Sequence, residues 1–163
     1  MITPAGRREV PLAELLDLLE QAERIGAATA ARPLARVLGQ RRRAAEAGID
    51  VDRLLPPRRS RTHRAPELQS LAYHRLVAER LDDRSVEQAQ RRLARWKASG
   101  QIHPRWADEW EQILARPLPQ IAKAIAADTP RVRELRQTSP FAGALNEHER
   151  LLLVAAVERR GDA

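Results

Sequence analysis

Apolar residues recur at three- and four-residue spacing along most of this chain, and a proline or glycine breaks the pattern every few turns. That punctuated periodicity confines the chain to short amphipathic helices, because a period of 3.6 cannot sit on a pleated strand. Pro11, Pro33, Pro66, Pro104, Pro119 and Pro130 fall at or beside helix starts, where a missing N–H costs nothing. Gly26, Gly39, Gly48 and Gly100 fall at helix ends. Composition agrees, since Ala, Leu, Arg, Glu and Gln are strong helix formers. Aromatic residues make up only 3%: Tyr73, Trp96, Trp106, Trp110 and Phe141. The expected fold is all-α, with a basic N-terminal helical segment, an Arg-rich linker and a C-terminal multi-helix bundle.

In the N-terminal part, Leu12, Leu15, Leu16, Leu19 and Ala22 mark one helix, and Leu34, Ala35, Val37 and Leu38 a second. Ile49 to Leu55 reads equally as a short strand or as one helical turn. Pro56-Pro57 ends all regular structure, and residues 58–64 contain no apolar side chain. This places domain boundaries at 1–57, 58–64 and 65–163. In the last of these a helix opens at Pro66 and runs to Leu81. Ser85 with Gln88 forms a capping box for the next, which carries Val86, Ala89, Leu93 and Trp96 on one face and stops at Gly100. His103-Pro104, Pro119 and Asp128-Thr129-Pro130 begin three more, and Asn146 with Glu149 caps the last, whose apolar run is Leu151 to Val157.

Several function classes receive no support. There is no cysteine, which excludes disulfides and thiolate chemistry. His63, His74, His103 and His148 show no i, i+4 pairing of the kind a helical metal site uses. Asp82-Asp83 reads as a helix terminus, and Asp108, Glu109 and Glu111 as an exposed face beside a Trp106–Trp110 stripe. The 7 glycines are scattered, with no phosphate loop, and no serine stands in a nucleophile elbow. No apolar run approaches the roughly 18 residues of a membrane span, and Met1 to Gly6 carry no signal pattern. The expectation is a cytoplasmic, non-enzymatic protein with no cofactor, no metal and no membrane partner.

Charge says more. The net charge is +7, and it is uneven: residues 1–64 hold 13 Arg against 8 acids, the remainder 16 bases against 14 acids. The excess gathers at Arg41-Arg42-Arg43 and at Arg58-Arg59-Ser60-Arg61-Thr62-His63-Arg64. Such clusters imply a polyanionic partner, nucleic acid or an acidic protein surface. A GC-rich genome that encodes Arg where others encode Lys is the competing explanation. Leu34 to Arg43 resembles the middle of a helix-turn-helix, with Ala35 as the small packing residue, Gly39 as the turn, and Arg41, Arg42 and Arg43 opening the recognition helix. Gln40, where an apolar residue is usual, departs from that pattern. An ordinary amphipathic helix pair with a glycine cap fits the same residues. Arg58, Arg59, Arg61 and Arg64 would add contacts to duplex backbone or dock on an acidic partner.

From Leu71 to about Val157 the chain resembles small helical bacterial antitoxin-like proteins encoded beside nucleotidyltransferase-type toxins in toxin–antitoxin and abortive-infection loci. The resemblance rests on Tyr73 to Leu81, Ala94-Arg95-Trp96, His103 to Trp110 and, above all, Arg133-Glu134-Leu135-Arg136-Gln137-Thr138-Ser139-Pro140-Phe141-Ala142-Gly143. It implies a protein that binds and neutralises such a toxin. Arg133 and Arg136, three apart, share a helix face and suit acidic groups on a partner. Ser139 offers a hydroxyl at the helix end. Phe141 either plugs the core beneath the turn or anchors a partner's pocket. The competing expectations are a DNA-binding transcriptional regulator with no toxin partner, homodimeric through residues 65–163, and a non-catalytic subunit of a nucleic-acid-associated assembly.

Overall fold

The computed structural model describes Gly39 and residues 42–55 and 65–161, with side chains described through Val157. The chain divides between Arg43 and Ala44 into two units, and nearly all described residues belong to the second. They are helical, with no strand among them, as the periodicity requires. No described helix is long and apolar enough to cross a membrane. We label the helices α1 (Val51–Leu54), α2 (Ala65–Glu79), α3 (Asp83–Ser99), α4 (Pro104–Leu114), α5 (Leu118–Ala126), α6 (Pro130–Arg136) and α7 (Glu147–Gly161).

Helix α2 is the hub. Leu71, Ala72, His74, Leu76 and Val77 are all buried, which spreads burial over more than one face of the helix. Helices α5 and α7 make its largest contacts, and α1 and α6 also lie against it. Helices α3 and α4 pack on each other across a turn at Gly100, a left-handed cap with φ 69° that favours glycine. In contrast to α2, α3 buries a single stripe of Val86, Ala89 and Leu93. Helix α4 does the same with Ala107, Trp110, Ile113 and Leu114, and α5 with Ile121 and Ile125. These stripes meet in one core closed by Phe141, Leu145, Leu153, Ala156 and Val157.

The ambiguous 49–55 stretch forms a helical turn. Asp50 caps it, accepting from the Arg53 amide at 3.2 Å. Ile49, Val51, Leu54 and Leu55 are buried in the same core as α2 and α7. Residues 44–55 thus belong with the bundle, ahead of the 58–64 boundary read from the sequence. One cap differs from expectation: Asp82 rather than Ser85 starts α3, because the Asp82 carboxylate accepts from the Ser85 amide at 2.7 Å and from its hydroxyl. Both bonds hold the Asp82 carboxyl below the usual carboxylate range. The remaining starts follow the sequence. His103 accepts from the Arg105 amide, Thr129 from Val132, and Asn146 and Glu149 bond each other's amides at 2.9 and 3.2 Å.

Candidate functional site

The segment from Arg133 to Gly143 is held from three sides by side chains of other helices. Helix α6 ends at Arg136, and residues 137–145 turn without regular backbone pairing, so their polar groups need partners. Tyr73 on α2 donates its hydroxyl to the Phe141 carbonyl at 2.9 Å and accepts from the Leu145 amide. Arg92 on α3 donates to the carbonyls of Pro140 and Ala142. Trp110 on α4 donates its indole N–H to Thr138 at 3.3 Å. Gly143, at φ 81°, completes the turn, and a Cβ there would stand 3.3 Å from the Arg92 guanidinium.

His74 lies beneath this turn. Its Nδ1 is 2.7 Å from the Ser70 carbonyl and so carries the proton, leaving Nε2 to accept from the Ser139 hydroxyl, also at 2.7 Å. Ser139 in turn accepts from the Phe141 amide. Burial drives the His74 pKa from 6.5 down to about 4, against the pull of the Ser70 bond, and nearby Arg136 lowers it further. A serine within reach of a histidine has the outline of a nucleophile and its base. This imidazole, however, is sealed among core side chains and is a weak base. The pair works as a latch that ties the turn to α2.

The candidate partner-binding residues are thereby placed. Phe141 is 1% exposed and packs edge-on against Trp110 at 6.1 Å, so of its two alternatives the core plug is the structure's answer. Arg136 is also buried, which corrects its expected role as an outward contact. It donates to the Ala127 carbonyl at 2.7 Å, while its Nε has no partner among the described residues. Arg133 pairs with Asp128 at 3.3 Å. Both arginines turn back to the α5–α6 junction instead of forming an exposed basic face. Ser139 is the half-buried donor to His74.

Of the candidate nucleic-acid residues, Arg42 and Arg43 are helical and exposed. Arg41, Arg58, Arg59, Arg61 and Arg64 lie outside the described residues, as does most of the helix-turn-helix reading. Gly39, assigned there to the turn, is itself helical. Among the described residues no group of three or more His, Asp or Glu side chains is placed to hold a metal ion.

A second feature was not anticipated from sequence. An open groove of about 730 Å³ runs between α4 on one side and α5 and α6 on the other. Its apolar lining is Ile113, Ala124, Ala127, Val132 and Leu135, and Arg105, Arg116 and Arg131 stand along it with Asp108 and Glu109. Arg131 is engaged. It pairs with Glu109 through two bonds and lies 4.5 Å from the Trp106 ring centroid, where a cation meets the negative face of the ring. Arg105 lies 5.2 Å from the same ring. Trp106, expected as part of a core stripe, is only half-buried and orders these two guanidinium groups. Its neighbour Trp110 is fully buried. The sequence held one hint, since Arg105 and Trp106 are adjacent and three residues precede Glu109 on the α4 face, but the Arg131 contribution comes from a separate helix.

Comparison with family models, with curated proteins and with solved structures finds no match to this chain.

Proposed function

We propose that this protein is a non-catalytic, antitoxin-like binding protein that neutralises a nucleotidyltransferase-type toxin by covering it. The observation that carries the reading is the α4–α6 groove, an apolar floor bordered by guanidinium groups on a rigid bundle. A toxin that handles nucleotides and Mg²⁺ concentrates carboxylates at its active site, and a surface of this composition is electrostatically matched to them. Three of the four sequence blocks that carry the antitoxin resemblance also pack on one another, through Tyr73, His74, Trp110 and Phe141. They therefore belong to one structural unit that presents the groove.

Operator binding through the upstream arginines is the second activity of the proposed protein, and it takes place in the cytoplasm. Exposed, helical Arg42 and Arg43 favour this activity, and they keep a regulator without a toxin as the second reading. The reading predicts a nucleotidyltransferase encoded beside the gene, and the test is co-expression with it. The expected result is a stable complex in near-equal amounts and relief of toxicity. No complex, with specific duplex binding that weakens steeply in salt, replaces the antitoxin reading with the regulator.

A further inference from the structure

The charges along the groove are unevenly satisfied. Glu109 is taken by Arg131, and Asp108 faces Lys97 at 3.6 Å. Among the described residues Arg105 has a contact with Trp106 but no ion pair, and Arg116 has no ion pair either. Two exposed cations thus border an apolar floor, with no carboxylate paired to them among the described residues. Arg105 stands in the first turn of α4 and Arg116 two residues past its last, eleven residues apart in sequence. The helical part of that separation, from Arg105 to Leu114, spans about 14 Å. Ala124 and Ala127, which line the same groove, are small enough to admit another backbone closely.

We propose that the groove docks an acidic amphipathic helix of the protein partner, with two carboxylates about eleven residues apart bound to Arg105 and Arg116. On a helix, residues eleven apart return to nearly the same face after about three turns. Leucine-type side chains between the two acids then rest on Ile113, Val132 and Leu135, the helix-in-groove mode of recognition. Nucleic acid suits the site less well. Asp108 and Glu109 repel phosphate, and the Trp106 ring is engaged by guanidinium groups instead of being open to a base. The inference rests on the reading of the protein as a partner-binding module and adds the chemistry of the segment it grips.

The test uses full-length protein and labelled designed helices of about eighteen residues, read by fluorescence anisotropy. One carries Leu on a single face with Glu at positions eleven apart, one has Lys in place of those Glu, and one is a scrambled control. The Glu peptide is expected to bind and the Lys peptide to fail. Reversing both cations with R105E and R116E should weaken the Glu peptide by at least about tenfold and allow the Lys peptide to bind. Ala124→Trp, which fills the floor without touching charge, should block both. Equal binding of the Glu and Lys peptides, indifference to R105E and R116E, or no binding above the scrambled control would overturn the proposal. So would an oligonucleotide or inorganic phosphate that binds through the same arginines more tightly than the Glu peptide.

The two readings fail separately. A toxin complex of equal affinity in wild type and in the R105E and R116E variant removes the groove and leaves the antitoxin function. A charge-swapped peptide preference with no toxin complex removes the antitoxin function and leaves the groove.

Discussion

His74 carries an imidazole with its proton fixed on Nδ1 by the Ser70 carbonyl and its other nitrogen held by Ser139. Its folded pKa of about 4 lies below the ordinary 6.5, so between those values the unfolded chain binds a proton that the folded chain refuses. The stabilisation is therefore complete above about pH 6.5 and is lost as pH falls toward 4. Its magnitude is about 3 kcal/mol, from 1.36 kcal/mol for each unit of displacement. Urea unfolding across this window should show the loss in wild type and a smaller slope in H74Q, which keeps an uncharged hydrogen-bonding side chain. Coincident profiles would place His74 in solvent. Phe141 is the second residue-scale case. F141A empties a fully enclosed site beside Trp110, and an aromatic-to-alanine change in such a place costs about 3–5 kcal/mol. Calorimetry should show a large fall in midpoint, whereas an interface anchor would leave the isolated protein's stability unchanged.

At the scale of elements, local signals were legible and contacts between elements were not. Asn146 and Glu149 announce the start of α7 because their reciprocal bonds span only three residues. Glu149 also accepts from Arg80 at 2.5 Å, joining the start of α7 to the end of α2, and that link has no sequence signature. Asn146→Ala removes the cap and should cost about 1 kcal/mol, measured by denaturant midpoint at constant slope. Loss of native helicity would mean that the cap nucleates the bundle. The start of α3 was misplaced because Ser85 matches a capping pattern as well as Asp82 does, and an aspartate at the cap reaches the same amide. His74 stands between Leu71 and Val77 on α2, a polar residue at the three-residue spacing of buried apolar ones. Its partner Ser139 is 65 residues away, beyond any periodicity. The groove was illegible for the same reason: Arg105 and Arg131 meet only once α4 and α6 are packed.

For the molecule as a whole, the decisive feature is that one core draws on residues from Ala44 to Val157. The proline pair and the arginines after it suggested that everything before residue 58 belonged elsewhere, but Ile49, Val51, Leu54 and Leu55 are buried together with α2 and α7. Full burial of such side chains contributes about 1.5–3 kcal/mol each, or about 6–12 kcal/mol for the four. A domain has only about 5–15 kcal/mol of net stability, so their loss is comparable with the whole. Arg75 adds a polar tie, donating from α2 to the Leu54 carbonyl at 2.8 Å and to the Ala126 carbonyl at the end of α5 at 3.1 Å. Removing the 44–55 stretch would leave that half-buried guanidinium short of one of its two partners. A chain beginning at Ala44 should therefore unfold in a single cooperative transition with native helicity. A chain beginning at Ala65 should be largely unfolded, or collapsed without a cooperative transition. Circular dichroism during thermal unfolding of the two truncations separates the cases. Equal cooperativity would make the early stretch a dispensable lid, and would return the functional boundary to the arginine-rich residues 58–64.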